Sequence, residues 1–214
     1  MDKFKLFSVD RELALAVNKE LHSVRIAWQY TPITTDYYKI TKVEHHRKQI
    51  DEISRKYGPV IDTQKFTYEV YRGDPNKKPF AAIRFDPNSS YNKTIPNTAK
   101  LIDYIQAVNN LQNYAVGRIY INMQTIRPQW SMAAPHPDYL RDKLITVLYY
   151  VNDSDGDTFL FDGDECICRK EPVMGTGIVY PSTTLHAGST PTRHNTRVVI
   201  NIVFIPRELL TETR

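Results

Sequence analysis

His136 and Asp138 stand two residues apart in "APHPDY", each preceded by a proline, and His186 follows fifty residues later in "YPSTTLHAGS". In extended backbone, residues i and i+2 project to the same side, so an imidazole and a carboxylate converge there. Proline fixes φ at low entropic cost and stiffens the segment, as a pre-organised metal site requires. Two imidazoles and one carboxylate are the protein ligands of a facial triad, which leaves coordination positions open on non-haem iron(II). Taken alone, a His-x-Asp pair also fits a turn with an Asx-type hydrogen bond. The other histidines, His22, His45, His46 and His194, sit where a surface or a helix face accounts for them.

A second candidate is Arg197, which opens the strand-like "RVVINIVF". Period-two alternation puts Arg197, Val199, Asn201 and Val203 on one face and Val198, Ile200 and Ile202 on the other. Both faces are largely apolar, so the strand reads as buried, and a buried guanidinium needs an anion. A ligand carboxylate held by both prongs would serve, as would a structural Asp or Glu. Arg193, in the polar turn "TPTRHNT", reads as solvated. In "GRIYINMQT", Arg118, Tyr120, Asn122 and Gln124 share one face. Turned inward, such a face is costly unless it lines a site; turned outward, it is an ordinary solvated face. Asn122, then Asn201, are the pocket residues this pattern nominates.

The elements around these residues follow from periodicity. Helices are predicted over 10–21, 42–57 and 98–113. The second has Thr41 and Glu44 as a capping box and a stripe of Val43, His46, Ile50, Ile53 and Tyr57. "FTYEVY" and "FAAIRF" flank the turn-rich "RGDPNKKP" and read as a hairpin. After residue 114 short strands dominate, separated by Gly, Asp and Pro turns. The pattern implies a mainly β fold, with the earlier helices packed on one outer face of an antiparallel sandwich or barrel. The acidic "NDSDGDT" lacks the spacing of a calcium loop and reads as a hairpin turn. One domain is expected over 1–214, with helical support and flanking strands over 1–114 and the β core over 115–206.

Composition sets outer bounds. The chain has 214 residues, 41% hydrophobic and 24% charged, which suits a globular domain with a sizeable core. A net charge of +4, spread without basic runs, permits a nucleic-acid partner but predicts none. The N-terminal stretch has no apolar run suited to a signal peptide, and no segment approaches a membrane span. Cys166 and Cys168, on one face of a strand, are badly placed to bond each other and read as reduced thiols. A cytoplasmic compartment fits, and the sequons at Asn88 and Asn92 are then chance matches.

Taken in order, "HPD", "ITVLYYVNDSDGDTFLF", "PVMGTGIVYPSTTLHAGSTPT" and "TRVVINIVF" resemble the core of the 2-oxoglutarate- and Fe(II)-dependent dioxygenases, in particular their prolyl-4-hydroxylase-like branch. The resemblance runs from about Val116 to Phe204. It implies a double-stranded β-helix (jelly-roll) with His136, Asp138 and His186 binding iron at one mouth. Arg197 would hold the distal carboxylate of 2-oxoglutarate, and Tyr150 matches a position that often bonds the same group. Implied with it are molecular oxygen as cosubstrate, ascorbate as a further cofactor the family allows, and hydroxylation of an unactivated C–H bond. A prolyl or other amino-acid side chain in a peptide is the first substrate expected. A free small molecule comes second, and a nucleic-acid base third. A non-enzymatic, cupin-like metal-binding module is the rival class. Two departures stand out: an arginine where many animal prolyl hydroxylases carry lysine, and no tyrosine in the loop before His136 to steady the cosubstrate. On this reading, replacing any of the three ligands removes iron while the fold largely survives.

Overall fold

The structure is a computed structural model that describes residues 3–23, 29–31, 44–61, 65–72 and 95–211. The capping box at Thr41, the second hairpin arm over 80–85 and both sequons lie outside the described residues, as do the side chains of Val43, His45 and His46. Among the described residues, ten strands form two antiparallel sheets. The large one has the order β1 (Lys5–Ser8), β8 (Thr176–Pro181), β5 (Ile145–Tyr150), β10 (Thr196–Pro206), β4 (Tyr114–Thr125), β3 (Lys65–Arg72) and β2 (Gln29–Thr31). The small one has the order β7 (Glu165–Lys170), β6 (Thr158–Asp162) and β9 (Leu185–Gly188).

From β4 onward the chain passes back and forth between the sheets. It runs from β4 to the His136 segment, which pairs with β9, then to β5, to β6 and β7, to β8, to β9 and to β10. That alternation is the winding of a double-stranded β-helix, a jelly roll.

Side-chain alternation then separates three layers. Leu148, Tyr150, Ile178, Tyr180 and Val199 from the large sheet meet Leu160 from the small one, and these fill the interior. The intervening residues Val147, Tyr149, Val179, Val198, Ile200 and Ile202 face outward. Two helices, α1 (Arg11–Leu21) and α3 (Pro96–Val108), cover that outer face with Val17, Leu21, Leu101, Ile102 and Ile105. Each such fully buried aliphatic side chain contributes about 1.5–3 kcal/mol. Helix α1 is capped by the Asp10 carboxylate, which accepts from Leu13 N–H at 2.9 Å. Helix α3 starts two residues earlier and ends five earlier than its periodicity predicts. Its own N-cap, Ile95, offers no acceptor, so Glu20 of α1 accepts from the N–H groups of Asn97 (2.9 Å) and Thr98 (2.8 Å) instead.

The helices do not share one outer face, contrary to the sequence expectation. The helix α2 (Glu44–Tyr57) lies on the far side, where Ile53 and Tyr57 pack with Phe159, Phe161 and Ala187 on the outside of the small sheet. Both sheets are therefore covered, because the small sheet too turns apolar side chains outward, Phe159, Phe161 and Ala187 among them.

Two further expectations are corrected. A bulge at Ile167 sends Cys166 toward the outer cluster and Cys168 toward the interior, so the free thiols occupy opposite faces. The "NDSDGDT" stretch is a crossover, since β5 and β6 belong to different sheets. Its carboxylates pin loops. Asp155 accepts from Thr192, Arg193 and His194, Asp153 accepts from Met174 N–H, and Asp157 pairs with Arg169 at 2.5 Å.

Candidate metal centre

His136 and His186 exchange both backbone hydrogen bonds, each N–H donating to the other's carbonyl at 3.0 Å. This makes them a directly opposed antiparallel pair, whose side chains must lie side by side on one face. The ring centroids are 4.7 Å apart. Asp138, two residues on, adds its carboxylate to the same side, with Oδ2 at 3.8 Å from His186 Nε2. One ligand atom from each of the three lies within 4.8 Å of the others. At bond lengths of about 2.1 Å, neighbouring ligands on one ion sit about 3 Å apart, so a small contraction suffices.

The prolines have a second use beyond stiffness. The His136 N–H points at β9, so the N–H groups of residues 135 and 137 would point away, toward the outer edge of the sheet. Proline has none to leave unpaired there, and it blocks a further strand from adding.

Surroundings hold the three side chains in states able to bind a metal. Each histidine has Nδ1 on a backbone carbonyl, Ala134 at 2.9 Å for His136 and Thr184 at 3.1 Å for His186. Donation to those carbonyls leaves both Nε2 atoms as acceptors for a metal. Asp138 receives the Arg118 guanidinium on Oδ1 and the Thr146 hydroxyl on Oδ2 at 2.8 Å, with Asn201 Nδ2 at 3.3 Å from Oδ2. Burial alone would raise its pKa. The Arg118 charge, helped by both histidines, overrides this and holds the carboxyl well below the usual range. Asp138 is thus an anion at any physiological pH.

The buried Arg197 lies toward the other end of the same interior, 5% exposed. Its guanidinium donates to Gly156 O (2.6 Å), Thr158 Oγ1 (2.8 Å) and Gln124 Oε1 (3.1 Å), all neutral acceptors. Among the described residues no carboxylate pairs with it; Asp157, within its field, is taken by Arg169. A structural Asp or Glu partner, the alternative reading of the sequence, is absent there. Burial pulls the Arg197 pKa down.

Between Arg197 and the triad sit two buried phenols, Tyr150 and Tyr180, whose hydroxyls meet no partner in hydrogen-bonding geometry among the described residues. Thr158 stands near Tyr150 but bonds Arg197. Burial pushes Tyr150 up to about 12, against the pull of Arg197 and Thr158, and raises Tyr180 well above the usual phenol range. Both are neutral donors. A cation and two O–H groups without a partner among the described residues, grouped in one barrel interior, are what a small dianion would satisfy.

Strand register explains which predicted residues arrive. Arg197 is opposite Gln124, Val199 opposite Asn122 and Tyr150, Asn201 opposite Tyr120 and Leu148, and Val203 opposite Arg118 and Thr146. The polar face of β4 therefore turns inward. Asn122 lies half-buried on that face, whereas Asn201 reaches Asp138 and Arg118 at the metal end. Arg193 is exposed, bonded to Asp155, and takes no part. Sequence reasoning passed over Arg118, Gln124, Thr146, Thr158 and Tyr180. The first two lay on the very face it had marked as polar. Tyr180, in "GIVYP", carried no signal distinguishing it from a core aromatic.

No family model and no curated protein matches the sequence. Solved structures do. A 2OG-Fe(II) oxygenase family oxidoreductase from Burkholderia pseudomallei is similar at 15% identity, over 92% of this chain and 93% of that one, with a TM-score of 0.49. A prolyl hydroxylase from Trichoplax adhaerens, solved with a hypoxia inducible factor peptide fragment, is similar at 13% identity, over 95% and 93%, with a TM-score of 0.44. A Pseudomonas putida prolyl-4-hydroxylase is similar at 15% identity, over 90% and 97%, with a TM-score of 0.40. The chemistry assigned below rests on the side chains described above.

Gly156 offers a test of the clamp that touches no ligand. A Cβ there would lie 2.6 Å from Ser189 O and 2.7 Å from Arg197 Cδ. Gly156→Ala is expected to displace Arg197, cost about 1–3 kcal/mol by overpacking, and weaken binding of a dicarboxylate. Urea unfolding and calorimetric titration with 2-oxoglutarate check the two effects separately. Unaltered binding would mean that the guanidinium position is not set by this contact.

Proposed function

We propose that the protein is an Fe(II)- and 2-oxoglutarate-dependent dioxygenase that hydroxylates an unactivated C–H bond. The observation carrying this reading is a three-ligand His-Asp-His cluster sharing one barrel interior with a buried arginine that lacks an acidic partner among the described residues. Iron would be held by His136, His186 and Asp138, and Arg197 would receive the distal carboxylate of 2-oxoglutarate. Iron with 2-oxoglutarate and molecular oxygen supplies the oxidising power that no side chain has. The protein's own part is to bind, orient and exclude water. Tyr150 and Tyr180 donate to the cosubstrate from a site that bulk solvent does not reach. Asn201 steadies Asp138, and Asn122 lines the space beside Val199.

Only three ligands converge among the described residues, and structural metal sites are usually closed by four, which favours catalysis over a cupin-like structural module. A prolyl or other residue in a peptide is the substrate class we infer. An open groove of about 440 Å³ supports it, with apolar Pro137, Leu140, Phe161, Ile167 and Leu185 beside polar Lys3, Gln49, Asp162, Thr183 and Thr184, a mixture that suits both the side chains and the backbone of a peptide. Neither this groove nor the larger depression, about 680 Å³ around Asn113, Lys143 and Glu208, includes a triad side chain, but the groove adjoins the triad in sequence through Pro137 and Leu185. The reading includes a single domain over 1–214, supported by β1, β2 and β3 joining the same sheet as the core strands. It also includes a reducing, cytoplasmic setting, supported by the two free thiols. Among the described residues no helix is long and apolar enough to cross a membrane.

Succinate release tests the reaction and the substrate together. Release should require both Fe(II) and 2-oxoglutarate, and proline-containing peptides should raise it above the uncoupled background. DNA and RNA should neither stimulate it nor bind with the steep salt dependence of phosphate contacts, given a net charge of only +4. Stimulation by an oligonucleotide where peptides fail would move the protein into the base-modifying class. No iron-dependent succinate at all would leave the structural module as the reading.

A further inference from the structure

We propose that Arg118 is a positioning residue that restricts Asp138 to binding metal through one oxygen, keeping coordination positions free for the cosubstrate and oxygen. The inference rests on the iron reading above. It starts from the unequal surroundings of the two carboxylate oxygens. Oδ1 is held by Arg118 Nη2. Oδ2 accepts from Thr146, whose hydroxyl is backed by Ser182 at 2.9 Å, and it is Oδ2 that faces His186 Nε2 at 3.8 Å.

The guanidinium is not free to swing aside. Its Nη2 also donates to Asn201 Oδ1 at 2.6 Å, and its Cζ lies 4.9 Å from the Tyr120 ring centre and 5.3 Å from that of Tyr139. Only 12% of the side chain is exposed. Tyr120 and Tyr139 thus supply cation–π support while Asp138 and Asn201 fix the fork. Among the described residues the buried Nε has no partner, so the position is not one that satisfies every donor of the arginine there.

A carboxylate with both oxygens free can bind a cation through one or both. Both oxygens accept hydrogen bonds, Oδ2 from Thr146 and from Asn201 Nδ2 at 3.3 Å, but only Oδ1 faces a full positive charge. That charge repels a second cation and leaves Oδ2, bonded by neutral donors alone, as the metal-facing atom. Three single-atom ligands leave three positions on a six-coordinate ion. A two-oxygen aspartate would leave only two. Arg118 is therefore expected to matter little for holding the metal and much for admitting what binds after it.

The test is calorimetric titration of wild type, Arg118→Met and Arg118→Lys, first with Mn(II) and then with 2-oxoglutarate on the Mn(II)-loaded protein. If wild type binds neither, the iron reading fails before Arg118 is in question. Given wild-type binding of both, Arg118→Met should keep Mn(II) affinity at or above wild type, because a nearby positive charge has gone. Its affinity for 2-oxoglutarate should fall about ten-fold or more, about 1.4 kcal/mol, because a second aspartate oxygen on the metal competes for a position the cosubstrate needs. Arg118→Lys, which keeps one charged donor, should stay within a few-fold of wild type in both. Parallel loss of Mn(II) and 2-oxoglutarate in Arg118→Met, or unchanged 2-oxoglutarate affinity, would overturn the proposal. So would an Arg118→Lys protein as defective as Arg118→Met. Should Arg118→Met fail to fold, Arg118→Gln, with a neutral donor, carries the same comparison.

Discussion

Asp138→Ala is expected to abolish iron binding and turnover and, in addition, to destabilise the metal-free protein by roughly 3–5 kcal/mol. The second effect arises because removing one partner of a buried ion pair strands the other charge. Arg118 and Asp138 side chains are 12% and 6% exposed, and Thr146 and Asn201 also point at the carboxylate. His186→Ala should abolish iron binding with a smaller stability loss, since the histidine's side-chain bond is one to the carbonyl of Thr184. The sequence reading expected the fold to survive loss of any ligand; the structure separates the aspartate from the histidines. Metal-free urea unfolding of the two variants, beside Fe(II) binding, checks this. Equal stability losses would mean that Arg118 finds another partner. Retained 2-oxoglutarate turnover in Asp138→Ala would sink the metal assignment itself.

Arg197→Ala should weaken 2-oxoglutarate binding by about 2–5 kcal/mol, the scale for truncating one side of a buried charged hydrogen-bonded pair. That is roughly thirty-fold or more in affinity. Arg193→Ala should change it little, because that side chain is 77% exposed and bonded to Asp155. Arg197→Lys should recover only part of the loss, since an ammonium cannot present the planar fork and cannot keep the bonds to Gly156, Thr158 and Gln124 together. Tyr180→Phe should fall between, removing one donor from the same space. If Arg193 proved the more sensitive of the two arginines, the clamp would have to be sought on the 191–195 loop.

Local chemistry made much of this legible. The 3.6-residue stripe located α1 through Val17 and Leu21, and period-two alternation located β4 and β10 and assigned their faces correctly. His136 and Asp138 were readable because i and i+2 share a side wherever backbone is extended, and proline keeps it extended. The polar face of β4 was also visible, although its direction was not. Alternation says which residues travel together and leaves open whether they face solvent or a partner sheet.

Long-range pairing decided the rest. The two-way backbone bridge between His136 and His186 joins residues fifty apart, and nothing in either segment encodes the other. Arg118 meets Asp138, and Glu20 caps α3, for the same reason: each contact spans separate elements. The bulge at Ile167 divided two cysteines that alternation put on one face, and α2 left the side of α1 because the small sheet also had an apolar outer face to bury. Residue types, periods and the two-residue spacing of His136 and Asp138 were determined by the sequence itself. Closure of two sheets decided which polar face became an interior, because it removes from water together Arg197, bonded to neutral acceptors alone, and two phenols without a partner among the described residues.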